Sequence, residues 1–414
     1  MKKISIYVMT IAATFYLESC STSQKTTAKQ PTTETEAPKT IKEEGLNISY
    51  MDPSVRPQDD FYNYVNGGWM KTAVIPSDKP SWGSFNALRE DVDVASLDIL
   101  NKVLSEKFDS NSEGEKIQAL YGTFIDWNKR NAEGINPIKS QLTKIDAIKN
   151  VKDLQKYLIE VTPSGDNPFY GWRVGADMKN SVMNAVYLGG PSLGLGKDYY
   201  QKVNEANTKT LAEYKNYVAK LETVLGSKNP DATAQQIVDF EKKLAQDLLT
   251  LEQGRDANLR YNPKTVEELK PLVKNVNLPD YLKTVGVNTD KVIIGELKYY
   301  QNMDSWMTDK NIGLIKEYIK YDLLNKNASN LDQNLDNIRF DFYSKYLQGQ
   351  QEQRSMEKRG LGLVNGVLGE AFGKLYVEKN FSPEAKQKME TYVDYIKKAF
   401  KVHIENLEWM SPVT

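Results

Sequence analysis

The chain has 414 residues, 40% of them hydrophobic and 26% charged, and carries a net charge of −1. That length accommodates two domains or one large helical domain, and the near-zero charge leaves no field to draw it to nucleic acid, so no nucleic-acid partner is expected. One histidine, His403, is too few for an H-E-x-x-H zinc helix, and one cysteine, Cys20, excludes a disulfide within the chain.

Residues 1–20 (MKKISIYVMTIAATFYLESC) combine a start carrying Lys2 and Lys3 with an apolar run over 4–17. The run has the length of a signal peptide and is too short to span a membrane. The sequence Leu17-Glu18-Ser19-Cys20 resembles a bacterial lipobox, with Glu18 where a small or apolar residue is usual. The expectation is a lipoprotein signal over 1–20 and lipid attachment at Cys20, which anchors the protein to a membrane. The alternative is an ordinary secretory signal. Residues 21–45 are rich in Thr, Lys, Glu and Pro and contain no aromatic residue. Such a composition cannot offset the entropy of ordering, so it predicts a disordered tether. No acidic run follows Cys20. By resemblance to envelope lipoproteins that use one for surface export, this points to a periplasm-facing place in the bacterial cell envelope.

The stretch 52–90 (DPSVRPQDDFYNYVNGGWMKTAVIPSDKPSWGSFNALRE) opens the ordered body. Asp59 and Asp60 suit a helix start, where unpaired amides and the dipole favour acids. Phe61, Tyr64 and Val65 form an apolar face, and Asn66-Gly67-Gly68 reads as the close of that helix. A longer helix follows over 84–107, with Leu88, Val92, Ala95, Leu100, Val103 and Leu104 on one stripe. Alternation at Tyr170, Trp172 and Val174, then an apolar run over 182–188, predicts one short β-hairpin turning at Gly175-Ala176-Asp177. The helical period returns at Leu211, Tyr214, Val218, Leu221 and Leu225, and again at Ile237, Phe240, Leu244, Leu248 and Leu251. Thr265 and Glu268 have the spacing of a capping box. Further helices are expected over 308–325, 335–348, 361–378 and 383–408. The predicted fold is mainly α, one large multi-helix unit over 46–414.

Several motifs are imitations. Gly190-Pro191-Ser192-Leu193-Gly194 matches G-x-S-x-G, but Leu193-Gly194-Leu195-Gly196 is a poor helix start and the sole histidine is more than two hundred residues away. Residues 190–197 miss the phosphate-loop spacing by one and place Asp198 at the hydroxyl position. Asn330, Asp332, Asn334, Asp336 and Asp341 imitate a calcium loop with Leu335 at the position that requires glycine. His403, beside the apolar face of the last helix, reads as a packed or half-buried residue.

The opening stretch also resembles the start of the neprilysin and endothelin-converting-enzyme family of zinc metalloendopeptidases. The resemblance is carried by P-x-x-D-F-Y at 57–62, Val65-Asn66-Gly67-Gly68-Trp69, Val74-Ile75-Pro76, and Trp82-Gly83-Ser84-Phe85 leading to Leu88-Arg89. It continues through 191–200 (PSLGLGKDYY), 256–269 (DANLRYNPKTVEEL), 363–381 (LVNGVLGEAFGKLYVEKNF) and 407–410 (LEWM), so it covers 46–414. It implies a helical cap domain that restricts a cavity to oligopeptides. It also implies a cavity-facing role for Arg89, in binding the carboxylate of a peptide substrate, a task suited to a planar guanidinium. Without the resemblance, Arg89 beside Glu90 and Asp91 is a surface ion pair of little worth. A second arginine of the family corresponds to Ser81, which puts a preference for free C-termini in doubt.

The family's N-A-[FY]-Y strand, H-E-x-x-H helix and E-x-x-x-D helix have no counterpart here, so no catalytic or metal-binding residue is assigned. The resemblance implies the N-terminal, substrate-enclosing part of a peptidase whose zinc is held by a missing C-terminal half. This polypeptide is expected to be inactive alone, whether it is a truncated gene, a partial record or one half of a split pair. If encoded separately, the catalytic half is the expected partner. The alternative is a non-catalytic helical envelope lipoprotein that binds peptides or a protein partner. The two differ at the surface where a catalytic half would dock, apolar in the first case and polar in the second.

Overall fold

The computed structural model describes residues 47–411. The signal peptide, the tether and the lipid site at Cys20 lie outside the described residues. The chain divides into two compact units, one to Gly68 and one from Trp69.

In the first unit, a single helical turn at Ile48–Tyr50 leads to α1 (Phe61–Met70), whose last two residues belong to the second unit. Asp60 Oδ1 accepts the Asn63 amide at 2.9 Å, which is the acidic start expected of this helix. The expected close at Asn66-Gly67-Gly68 is corrected: these residues lie inside α1. Their glycines serve close approach. A Cβ on Gly67 would stand 2.8 Å from Asp52 Cβ, and one on Gly68 would stand 2.7 Å from the Met51 carbonyl oxygen. The incoming segment lies against the helix there, with the Asp52 amide donating to the Tyr64 carbonyl at 2.8 Å.

The second unit begins with α2 (Ser84–Ser105), α3 (Glu113–Ile125) and α4 (Trp127–Glu133). Arg130 of α4 is buried. Its guanidinium donates to the carbonyls of Leu331 at 2.8 Å and of Phe124 and Ser329 at 2.7 Å, tying α4 to a loop two hundred residues later. α5 (Asn136–Asp146) and α6 (Val151–Val161) precede the sheet. Strands β1 (Trp172–Asp177) and β2 (Asn180–Leu188) form the expected hairpin. Its turn falls at Met178-Lys179, so the expected turn at 175–177 is corrected. Gly175 pairs with Ala185, and a bulge follows Ala176.

Beyond the hairpin come α7 (Lys197–Gln201), α8 (Glu205–Val224), α9 (Pro230–Ala245) and the short α10 (Ala257–Arg260). The expectation of one hairpin alone is corrected by β3 (Asn262–Thr265) and by β4 (Lys291–Ile294), separated by α11 (Leu269–Leu272) and α12 (Leu278–Thr284). The sheet order is β1-β2-β4-β3, with β4 parallel to β2 and antiparallel to β3. Pro263 sits on the edge strand β3, where a missing amide is tolerated. The Thr265–Glu268 capping box is formed: the Thr265 amide donates to Glu268 Oε2 at 2.7 Å and the Glu268 amide donates to Thr265 Oγ1 at 3.3 Å.

The chain then runs through α13 (Leu297–Asn302), α14 (Ile312–Asn327) and α15 (Gln333–Arg339), which continues as a π-helical turn, Phe340–Tyr346. The last helices are α16 (Met356–Asn380) and α17 (Pro383–Glu405). One large core joins α5, α6, α8, α9 and α14 to the sheet through residues such as Leu154, Tyr214, Ile237 and Ile294. A smaller core joins α2, α3 and α16 through Leu100, Ile117, Tyr121, Val364 and Phe372. The mainly α fold is as predicted. One further correction concerns His403, which is exposed, because α17 buries no residue at all.

Candidate functional site

Arg89 lies in the second turn of α2, after the loop that carries Lys79 and Ser81. Its Nε donates to Asp93 Oδ1, one helical turn on, at 3.0 Å. Asp93 is buried and also accepts from Arg354 Nη2 at 2.6 Å. Glu90, beside it, pairs with Lys79 and Lys358 and lies 3.4 Å from Arg354 Nη2. Burial pushes the Glu90 carboxyl up, and the Lys358 and Lys79 ammonium groups more than offset this, so it is held below the ordinary carboxylate value.

The result is a charged seam between α2 and the start of α16, with Arg89 at its outer edge. Its side chain is 56% exposed against 3% for Asp93. Only the Nε of Arg89 is engaged by protein among the described residues. Its Nη edge is therefore free to offer a two-bond fork to a carboxylate. Ser81 is exposed and supplies no such fork.

Two buried carboxyls escaped the sequence reading. Glu241 of α9 is fully buried and accepts from the Gly194 amide at 2.8 Å, Tyr200 Oη at 2.6 Å and Tyr318 Oη at 3.3 Å. Burial pushes it up to about 7 against those hydrogen bonds. It pins the loop that imitates a nucleophile elbow. In that loop the Ser192 amide donates to the Pro168 carbonyl, the Ser192 carbonyl accepts from Tyr318 Oη, and no helix begins before Lys197. Glu222 of α8 is also fully buried, but neither carboxyl oxygen has a hydrogen-bond partner. The signal for both was their place on the buried stripe, beside Phe240 and Leu221.

The calcium-loop imitation dissolves into structural roles. Asp332 caps α15 by accepting the Leu335 amide at 2.8 Å, and Asp336 pairs with Arg359. Among the described residues no three His, Cys, Asp or Glu side chains gather where a metal ion could be held. The residues present do not fit the zinc that the family resemblance implies.

Comparison with known proteins gives a consistent result. Residues 57–414 match peptidase family M13. Endothelin-converting enzyme 1 of Mus musculus is 28% identical over 383 residues, covering 89% of this chain and 49% of the relative. The neutral endopeptidase of Lactobacillus helveticus is 28% identical over 375 residues, covering 89% of this chain and 57% of the relative. The inhibitor complex of the Mycobacterium tuberculosis zinc metalloprotease Zmp1 superposes with a TM-score of 0.80 at 28% identity, covering 89% of this chain and 56% of that chain. PepO of Lactobacillus rhamnosis HN001, at 22% identity and a TM-score of 0.74, shares the fold. The chain spans about half the length of the curated relatives it matches.

Proposed function

This chain belongs to peptidase family M13, and from that premise we propose that it is the substrate-enclosing helical part of a zinc metalloendopeptidase that cleaves oligopeptides. The zinc and the groups that activate water would sit on residues outside these 414. By itself this polypeptide would not hydrolyse peptides, since one histidine cannot supply H-E-x-x-H.

The observation that carries the reading is α17. Met389, Val393, Ile396, Phe400 and Ile404 recur at steps of three and four and are all exposed. A helix with an apolar stripe at this spacing is built to be covered. A second folded half that holds the zinc is the occupant we propose. A stand-alone peptide-binding lipoprotein would carry polar residues there, so the stripe favours the first reading.

Within this reading Arg89 binds a substrate carboxylate through its free Nη edge, held in place by Asp93. Titration of the 414-residue chain with a short peptide bearing a free C-terminus, against its C-terminal amide, tests this. Arg89→Ala should weaken binding of the free acid by about tenfold, the worth of a charge-assisted hydrogen bond, and leave the amide unchanged. Equal loss for both peptides would refute the role.

We also propose that Cys20 carries lipid and holds the protein to a bacterial envelope membrane, facing the periplasm. The support is the sequence of residues 1–20 alone.

A further inference from the structure

A cavity of about 580 Å³ opens where α15 and the π-helical turn meet the start of α16. That volume is in the range of small-molecule sites. Arg339, Arg354 and Arg359 line it against a single carboxylate, Asp336. Two of these side chains are incompletely satisfied. Asp336 is 3% exposed and its Oδ1 accepts from Arg359 Nη2, while its Oδ2 has no hydrogen-bond partner. Arg354 donates from Nη2 to Asp93 and Glu90, while its buried Nε makes no hydrogen bond and stands 4.0 Å from Asp78 Oδ2.

Arg339 Nη1 donates to the Asn325 carbonyl at 3.1 Å and side chain at 2.9 Å, and the guanidinium lies over the Tyr343 ring. A buried acceptor and a buried donor left without a hydrogen bond are each costly, more so when charged. Native proteins keep such groups where water, an ion or a ligand completes them.

A ligand that completes both must present a negative acceptor to the arginines and a positive donor to the aspartate. We propose that this cavity binds a small zwitterion, an α-amino acid or a dipeptide, with its carboxylate on Arg354 and Arg339 and its ammonium on Asp336 Oδ2. The inference goes beyond the proposed peptidase role and needs neither zinc nor cleavage.

Calorimetric titration of the 414-residue chain with alanine and with alanyl-alanine tests it and distinguishes the two sources. At least one should bind saturably, at millimolar affinity or tighter. N-acetylalanine, which lacks the ammonium, and alaninamide, which lacks the carboxylate, should each bind at least about tenfold more weakly than that zwitterion. Asp336→Asn should produce a similar loss. Because Asp336 also pairs with Arg359, that variant could fail to fold. Ser344→Phe keeps every charge, fills the cavity from its wall, and should abolish binding. No saturable heat from either zwitterion would mean that ordered water alone completes the two groups, and would overturn the proposal. Equal binding of the blocked analogues, or undiminished binding to Ser344→Phe, would overturn it as well.

Discussion

Glu222 gives the sharpest prediction about stability. It is fully buried on α8 with both oxygens unpartnered. Burial first, then the nearby Glu317 carboxylate, pushes its carboxyl up from 4.5 to about 7, against the pull of Lys320. Lys320 is itself committed to Asp146 at 2.6 Å and Glu317 at 3.4 Å, so it does not reach Glu222 as a partner. Between pH 4.5 and 7 the native state then binds more protons at this site than the unfolded chain does, and stability must fall as pH rises. The fall levels off above the folded value. A rise from 4.5 to about 7 corresponds to about 3 kcal/mol. Glu222→Gln removes the ionisation while keeping the shape. The variant should match the parent near pH 5 and exceed its unfolding free energy by about 3 kcal/mol at pH 8. Urea denaturation of both proteins across that range is the assay, because the other titrating groups cancel in the difference. Parallel curves, with a constant offset between parent and variant, would refute the reasoning.

Three further outcomes follow from the packing and the sequence. Gly360 lets α16 approach α3, where an added Cβ would stand 2.6 Å from the buried Tyr121 ring. Gly360→Ala should therefore lower the unfolding free energy by about 1–3 kcal/mol in denaturant titration, whereas the ordinary helix preference for alanine would raise it. Ile396→Glu together with Phe400→Glu alters only exposed positions of α17. The pair should shift the unfolding free energy by less than about 1 kcal/mol and suppress self-association in sedimentation velocity, which unchanged association would contradict. Cys20→Ser should abolish incorporation of a labelled fatty acid when the full chain is expressed in a bacterial host, and label retained by the variant would remove Cys20 as the attachment site.

The helices were legible because their apolar stripes are regular. Leu211, Tyr214, Val218 and Leu221 step by three and four within α8, as Ile237, Phe240 and Leu244 do within α9, although α9 ends at Ala245, short of the expected Leu248 and Leu251. The capping pair Thr265 and Glu268 was legible for the same reason, a fixed local spacing. What failed depended on partners distant in sequence. Gly67 and Gly68 read as a helix end, since nothing local reveals the segment at 49–52 that needs their missing Cβ atoms. The strands β3 and β4 have four residues each, and Asn262-Pro263 looks like a breaker until β4 supplies a neighbour. Glu222 and Glu241 look like the solvated face of a helix, because charge outweighs position in a local reading. Arg89 was singled out by resemblance alone. Its anchor through Asp93 to Arg354, 261 residues on, is visible only in the folded chain.

The central claim is that this chain is the enclosing part of a zinc peptidase and that the zinc-binding residues are encoded outside it. Sequencing the genomic locus through and beyond codon 414 tests that most directly. The account predicts an H-E-x-x-H reading frame within a few hundred codons, in frame or after a single shift. A locus with no such frame there would contradict it, and would leave the exposed stripe of α17 to a partner of another kind.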